Sequence, residues 1–260
     1  MSDVDVIVLD ATSGGAMLHE CLRSIIGARE IIVFDNGSST PIRIEGVRVI
    51  RSDQNIGFAA GVNEAYRHTT APYVALVNND VVLDRDWIGV TTKALDADPK
   101  LAAVQTIIRR DVRAIDGAGI DVSDGTIRQI GYDLPIGSAL PQAWGVSATA
   151  ALYRRAALGE RVFDPRFFAY YEDVELCARL HDAGWRTAVL PVDKATHRGS
   201  ASVSILGKRS KRLRTRNRYF VARLHHGVGR TSALLMEDLK LLLRGRSSVR
   251  GIIEGLCSRL

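Results

Sequence analysis

The feature that most restricts the fold is a rhythm in the first hundred residues, where short apolar runs of strand length alternate with segments of helical spacing. The runs are Val4 to Leu9, Glu30 to Phe34, Val47 to Ile50, Tyr73 to Val77 and Leu101 to Ile108. Between the first two, Met17, Leu18, Cys21, Leu22, Ile25 and Ile26 share one helical stripe, opened by Ser13-Gly14-Gly15 and closed at Gly27. Further helices are predicted over about Ala59 to His68 and Trp87 to Leu95, the second ending before Pro99. Repeated β-α units of this kind predict an α/β fold, a mostly parallel sheet flanked by helices.

Beyond residue 108 the rhythm fades. Arg109 to Gln142 is rich in Gly and Asp and reads as short strands or a hairpin. Trp144 to Arg154 and Thr187 to Leu190 read as strands. Glu172 to Ala183 reads as a helix that stops at Gly184. At 46% hydrophobic and 25% charged residues the chain can fill a sizeable core, which excludes wholesale disorder. No basic region followed by an apolar core opens the chain, so export is not expected. The longest C-terminal apolar stretch, Leu234 to Leu243, is broken by Glu237, Asp238 and Lys240, and falls short of a membrane span. Cys21, Cys177 and Cys257 are scattered and odd in number, which suits a reducing cytoplasm and argues against structural zinc.

Ligands in open α/β sheets sit beyond the carboxyl ends of the strands. Here strand one runs into Asp10, strand two into Asp35-Asn36-Gly37-Ser38-Ser39, and strand four into Asn78-Asn79-Asp80. Turn chemistry uses the same residues at any one strand exit. Three such exits on one edge point to a site.

These segments, taken with Asn55-Ile56-Gly57-Phe58-Ala59-Ala60-Gly61-Val62-Asn63, the stretch Phe167 to Leu180 around Tyr171-Glu172-Asp173, and His197-Arg198-Gly199-Ser200, resemble the family 2 glycosyltransferases. The likeness is strongest to their bacterial rhamnosyltransferase-like branch and runs in order over roughly the first 225 residues. It implies a GT-A-like fold, with a catalytic domain over residues 1–204 whose donor half ends at about 108 and whose acceptor half follows, and a helical extension over 205–260. It also implies a hexosyltransferase that moves a sugar, rhamnosyl or related, from a dTDP- or UDP-sugar to a hydroxyl of a lipid-linked or cell-surface glycan, with inversion.

The chemistry of that reaction assigns expected roles. A leaving diphosphate needs a hard cation, Mg2+ or Mn2+, which takes one or two protein carboxylates and completes its shell with phosphate and water. Asp80 is the expected ligand, at the last acid of the family's D-x-D-type motif; Asn78 stands where the first acid would be. His197 is the second metal candidate. Asp10, Asp35, Asn36, Asn55, Gly57, Asn63, Asn78 and Asn79 are expected around the donor, although Asp35 also suits an Asx-turn and Gly57 a packing role. The resemblance makes Asp173 the base that takes the acceptor's proton; helix capping is the alternative reading. Glu172, Tyr171 and Trp144 are expected around the acceptor, the rings because sugars stack their C–H faces on aromatics.

Charge divides the chain. Residues 205–260 hold 14 Lys/Arg against 3 Asp/Glu, whereas residues 1–204 hold 21 against 26. A basic segment with amphipathic helical spacing suits an anionic membrane surface, which places the protein in the cytoplasm, peripheral on the inner face of the membrane. Nucleic acid is the rival partner, but no recognised nucleic-acid motif accompanies the charge. A dinucleotide-dependent oxidoreductase is disfavoured because Gly14-Gly15 lacks the G-x-G-x-x-G pattern, and a catalytically inert sugar-binding module draws some support from Asn78.

Overall fold

The apolar runs become the interior of one mixed sheet. In the computed structural model, which describes residues 3–122, 126–199, 206–225 and 227–258, the strands are β1 (Val4–Asp10), β2 (Glu30–Asn36), β3 (Arg48–Ser52), β4 (Tyr73–Asn78), β5 (Val81–Leu83), β6 (Leu101–Arg109), β7 (Ile115–Gly117), β8 (Ile120–Asp121), β9 (Arg128–Gln129), β10 (Ala150–Arg154) and β11 (Arg186–His197). The helices are α1 (Ala16–Ser24), α2 (Phe58–Tyr66), α3 (Trp87–Ala97), α4 (Arg155–Leu158), α5 (Glu172–Asp182), α6 (Lys208–His225), α7 (Gly227–Leu243) and α8 (Val249–Cys257). Ser200 of the resembling motif and the expected boundary at 204/205 lie outside the described residues.

The main sheet runs β3-β2-β1-β4-β10-β6-β11-β5, with β7 beside β6. Its first four strands are parallel, as β-α-β repetition requires. β10 then enters antiparallel between β4 and β6, which makes the sheet mixed. The expected strand Trp144 to Arg154 shortens to β10, because Val146 to Thr149 is drawn into loop contacts around the site. The expected Thr187 to Leu190 lengthens to twelve residues, passing a register shift between Leu190 and Asp193 before ending at His197.

Both faces of the sheet are covered, which is why its strands are apolar on both sides. Val4, Val6 and Val8 of β1 pack with Leu18 and Leu22 of α1 and Trp87 and Leu95 of α3. Ile7, on the opposite face, packs with Phe34, with Val62 and Tyr66 of α2, and with Leu176 and Leu180 of α5. Burying each such side chain contributes about 1.5–3 kcal/mol.

The basic C-terminal segment packs against this body. Asn217 of α6 is fully buried, and its amide donates to the carbonyls of Phe167 and Ala169 at 2.9 Å and of Tyr170 at 2.7 Å. The Arg216 guanidinium donates to the carbonyls of Arg166 (2.9 Å) and Phe167 (2.7 Å). Arg209 lies over the Phe168 ring and Arg214 over the Tyr170 ring. Several of the tail's cations are therefore spent inside the molecule, including Arg212 on Glu254 and Arg218 on Asp238.

Candidate active site

The end of β4, the end of β11 and the start of α5 meet around a cavity of about 280 Å³. Asn78, Asp80, Ser147, Thr149, Tyr170, Tyr171, Glu172, Asp173 and His197 line it, with Phe58, Gln129 and Arg214 completing the wall. Five of the expected site residues beyond Asp80 are thus brought together by strand and helix termini that lie far apart in sequence.

At one end His197 bridges two carboxylates. Its Nε2 is 3.2 Å from Asp80 Oδ1 and its Nδ1 is 2.9 Å from Asp116 Oδ2. Burial alone would lower the imidazole's pKa, but hydrogen bonds to Asp116 and Asp80 hold it up to about 10, so the ring is an imidazolium at neutral pH. No group of three or more His, Cys, Asp or Glu that would cage a metal occurs among the described residues. The donor set nevertheless fits a hard divalent cation. An octahedral ion with ligands at about 2.1 Å separates neighbouring donors by about 3 Å, close to the 3.2 Å between Asp80 and His197. Asp116 would then fix the ring from behind, the usual carboxylate support of a ligating histidine.

Elsewhere on the cavity wall lie the two acids that open α5. Glu172 is buried and its Oε2 has no hydrogen-bond partner. Burial and the adjacent Asp173 charge push its carboxyl up to about 8, so it is held neutral. Asp173 accepts from the amides of Val174 (2.9 Å) and Ala148 (3.3 Å). Burial raises its pKa, while those amides and the Ser147 hydroxyl pull the other way. Asp173 does not cap the helix: Tyr171 occupies that position, in a left-handed conformation with φ 66° and no side-chain cap. Phe168 and Tyr170 are also left-handed, so three non-glycine residues of one short loop carry backbone strain beside the cavity.

The sequence model of glycosyl transferase family 2 matches residues 6–162, more than half of the chain. This chain belongs to glycosyl transferase family 2. Among curated relatives it is similar to an N-acetylglucosaminyl-diphospho-decaprenol L-rhamnosyltransferase of Mycobacterium tuberculosis, 27% identical over 76% of each chain. Among solved structures it resembles a mannosyltransferase from Pyrobaculum calidifontis in complex with GDP-Man and Mn2+, with TM-score 0.58 and 16% identity over 96% of this chain and 77% of that one. It also resembles GalNAc-T7 with UDP, GalNAc and Mn2+, with TM-score 0.56 and 15% identity over 75% of this chain and 42% of that one. The fold is GT-A and the protein is a glycosyltransferase.

Other residues expected around the donor lie outside this cavity. The Asp10 carboxylate accepts from Thr12 N (2.9 Å), Gly14 N (3.1 Å) and the Asn79 amide, so Asp10 and Asn79 organise the β1–α1 loop. The Asp35 carboxylate is taken by Ser38 N, Ile42 N and the Arg51 guanidinium, the Asx-turn alternative with an ion pair added. Asn36 holds Ile56 N at 2.9 Å and Asn55 accepts from Gly57 N, so both shape the approach to α2. Gly57 has φ 92°, and a Cβ there would stand 2.7 Å from the Phe168 ring and carbonyl. Asn63 ties the fold together: its Oδ1 accepts from Val162 and Phe163 N, and its amide donates to Phe163 O. Trp144, expected around the acceptor, lines a different cavity and stacks edge-on with His181 in the last turn of α5, whereas the first cavity is bordered by the start of that helix.

Sequence reasoning missed Asp116, Ser147, Thr149 and Arg214. A carboxylate in a Gly-rich hairpin and hydroxyls before a strand carry no distinctive spacing. Arg214 was hidden because the basic segment reads as a separate extension.

Proposed function

We propose that this glycosyltransferase moves a deoxyhexosyl group, rhamnosyl in the first instance, from a dTDP- or UDP-linked donor to a hydroxyl of a lipid-linked glycan, with inversion. The observation that carries the reading is that an Asp80–His197 pair and the Glu172–Asp173 pair line one cavity. Asp80 and His197 would hold Mg2+ or Mn2+, which when bound neutralises charge on the leaving diphosphate. Asp173, ionised beside a neutral Glu172, takes the acceptor proton as its oxygen attacks. The raised pKa strengthens it as a base, and the amides of Ala148 and Val174 keep it aimed. The neutral Glu172 is free to donate a hydrogen bond to the acceptor. By likeness to the mycobacterial relative, the acceptor is a sugar on a polyprenyl diphosphate.

A peripheral membrane position suits such an acceptor. No helix among the described residues is long and apolar enough to cross a membrane. On α7, however, Met236, Leu239 and Leu243 are exposed at helical spacing, and exposed Lys240 and Arg244 lie on and just after the helix. Apolar anchors with neighbouring cations suit an anionic leaflet.

The test is a thermal-shift screen of nucleotide sugars with and without Mn2+, since a ligand specific for the native state raises its melting temperature. One donor should stabilise the wild type in a metal-dependent way and lose that effect in Asp80→Ala. A flat response to every donor would refute the reading.

A further inference from the structure

A second cavity, of about 620 Å³, abuts the first, and Tyr171 and Arg214 line both. Its walls come from α6, from α7 and the residue Arg246 beyond it, and from β9 with the two residues before it, and they are strongly basic: Arg128, Lys211, Arg214, Arg218 and Arg246, with Glu237 as the one acid among the described lining residues. Arg218 is matched by Asp238 and by Glu237. Lys211 donates to Gly245 O at 2.9 Å and Arg214 stacks on the Tyr170 ring, but no carboxylate pairs with Lys211, Arg214 or Arg246 among the described residues.

We propose that this basic cavity receives the diphosphate of the acceptor. The inference rests on the diphosphate-linked acceptor proposed above and extends it to named residues. Asp173 fixes where the reacting hydroxyl sits, in the first cavity, and Tyr171, two residues away in the chain, is the shared wall. Whatever is attached to the accepting sugar away from that hydroxyl therefore extends past Tyr171 into the second cavity. A diphosphate there meets an ammonium and two guanidinium groups, whose charge-assisted hydrogen bonds suit phosphate oxygens. The donor's own diphosphate belongs with Asp80 and His197 and does not need these cations. A nucleic-acid strand would need a continuous basic track, whereas this is a bounded pocket.

Calorimetry with two synthetic probes tests the idea: N-acetylglucosamine on a short prenyl diphosphate, and the same sugar on a neutral alkyl glycoside. Wild type should bind the diphosphate probe at least about tenfold more tightly than the neutral one. Arg246→Glu should shrink that preference, and Lys211→Glu with Arg246→Glu should abolish it, with donor affinity and melting temperature measured beside it to establish that the fold is intact. Equal affinity of wild type for the two probes, or an undiminished preference in folded double variant, would overturn the proposal. So would a variant that loses binding to phosphatidylglycerol vesicles or to single-stranded nucleic acid while keeping the diphosphate preference. Wild type that binds the diphosphate probe yet transfers no sugar to it counts against the function proposed above and supports this site.

Discussion

Asn217→Ala removes a side chain that touches neither the proposed donor nor the acceptor, and it should impair both stability and transfer. The amide has two protons and three carbonyls within 2.7–2.9 Å, so it makes the equivalent of about two hydrogen bonds shared three ways. Arg216 still serves Phe167 O after the substitution, which leaves the Ala169 and Tyr170 carbonyls without their partner. The side-chain oxygen also accepts from Arg216 Nε at 2.8 Å, so two donated bonds and one accepted bond are lost, which at about 1 kcal/mol each come to about 3 kcal/mol. In a chain of this size that corresponds to about 6–12 °C in melting temperature. The released loop includes Phe168, Tyr170 and Tyr171, each in a left-handed conformation that costs about 1–2 kcal/mol and so relaxes once untied. Because Tyr171 leads directly into Glu172 and Asp173, kcat should fall further than the lost stability explains at 25 °C. Asn217→Asp is the control: it keeps the bond from Arg216 Nε but turns an acceptor toward the three carbonyls, so it too should fall below wild type in stability and kcat. A melting temperature within about 2 °C of wild type, or normal kcat in either variant, would refute the reasoning.

Other outcomes follow from the same geometry. Asp173→Asn should keep donor binding and lose about 10²–10⁴-fold in transfer, read from steady-state rates beside donor calorimetry. Glu172 keeps a proton in the native state up to about pH 8 that the unfolded chain releases near pH 4.5. The native state thus binds more protons across that window, and stability falls as pH rises through it. Urea midpoints at pH 5 and pH 8 should show this slope in wild type and a shallower one in Glu172→Gln. Mn2+-dependent donor binding should tighten from pH 6 to pH 9, because the His197 imidazolium must lose its proton to become a ligand; proton release on metal addition checks it. Gly57→Ala should destabilise the fold by about 2–4 kcal/mol in denaturant titration, since a left-handed Cβ would collide with Phe168.

The parallel half of the sheet was legible because apolar runs at strand length have few other uses, and Asn78 to Asp80 could be placed at a strand exit on the same grounds. Strand direction was not legible. β10 carries the same apolar character as its neighbours, and nothing in Ala150 to Arg154 announces that it runs antiparallel between β4 and β6. Asp80, Asp173 and His197, which line the candidate site, stand in ordered motifs of the sequence, whereas Asp116 reaches His197 only through the β6–β7 pairing, which a Gly-rich stretch does not encode locally. The partners of Asn63 were hidden for a related reason: Val162 and Phe163 lie 99 and 100 residues away in sequence. The packing of the basic tail was not legible, because charge counts do not reveal that Arg212, Arg216 and Arg218 turn inward.

The place of β10 also governs how the molecule assembles. The strands β1 to β4 are complete by residue 78, yet the β4 edge meets its neighbour only when residues 150–154 have been synthesised and threaded between it and β6. Until then a run of apolar residues from Tyr73 to Val77 stands as an open edge able to pair with another chain. Closing the sheet by so distant a strand raises the contact order, so refolding from denaturant should have a slow phase set by the insertion of β10. Nascent chains halted between residues 109 and 150 should aggregate, and those released after it should not.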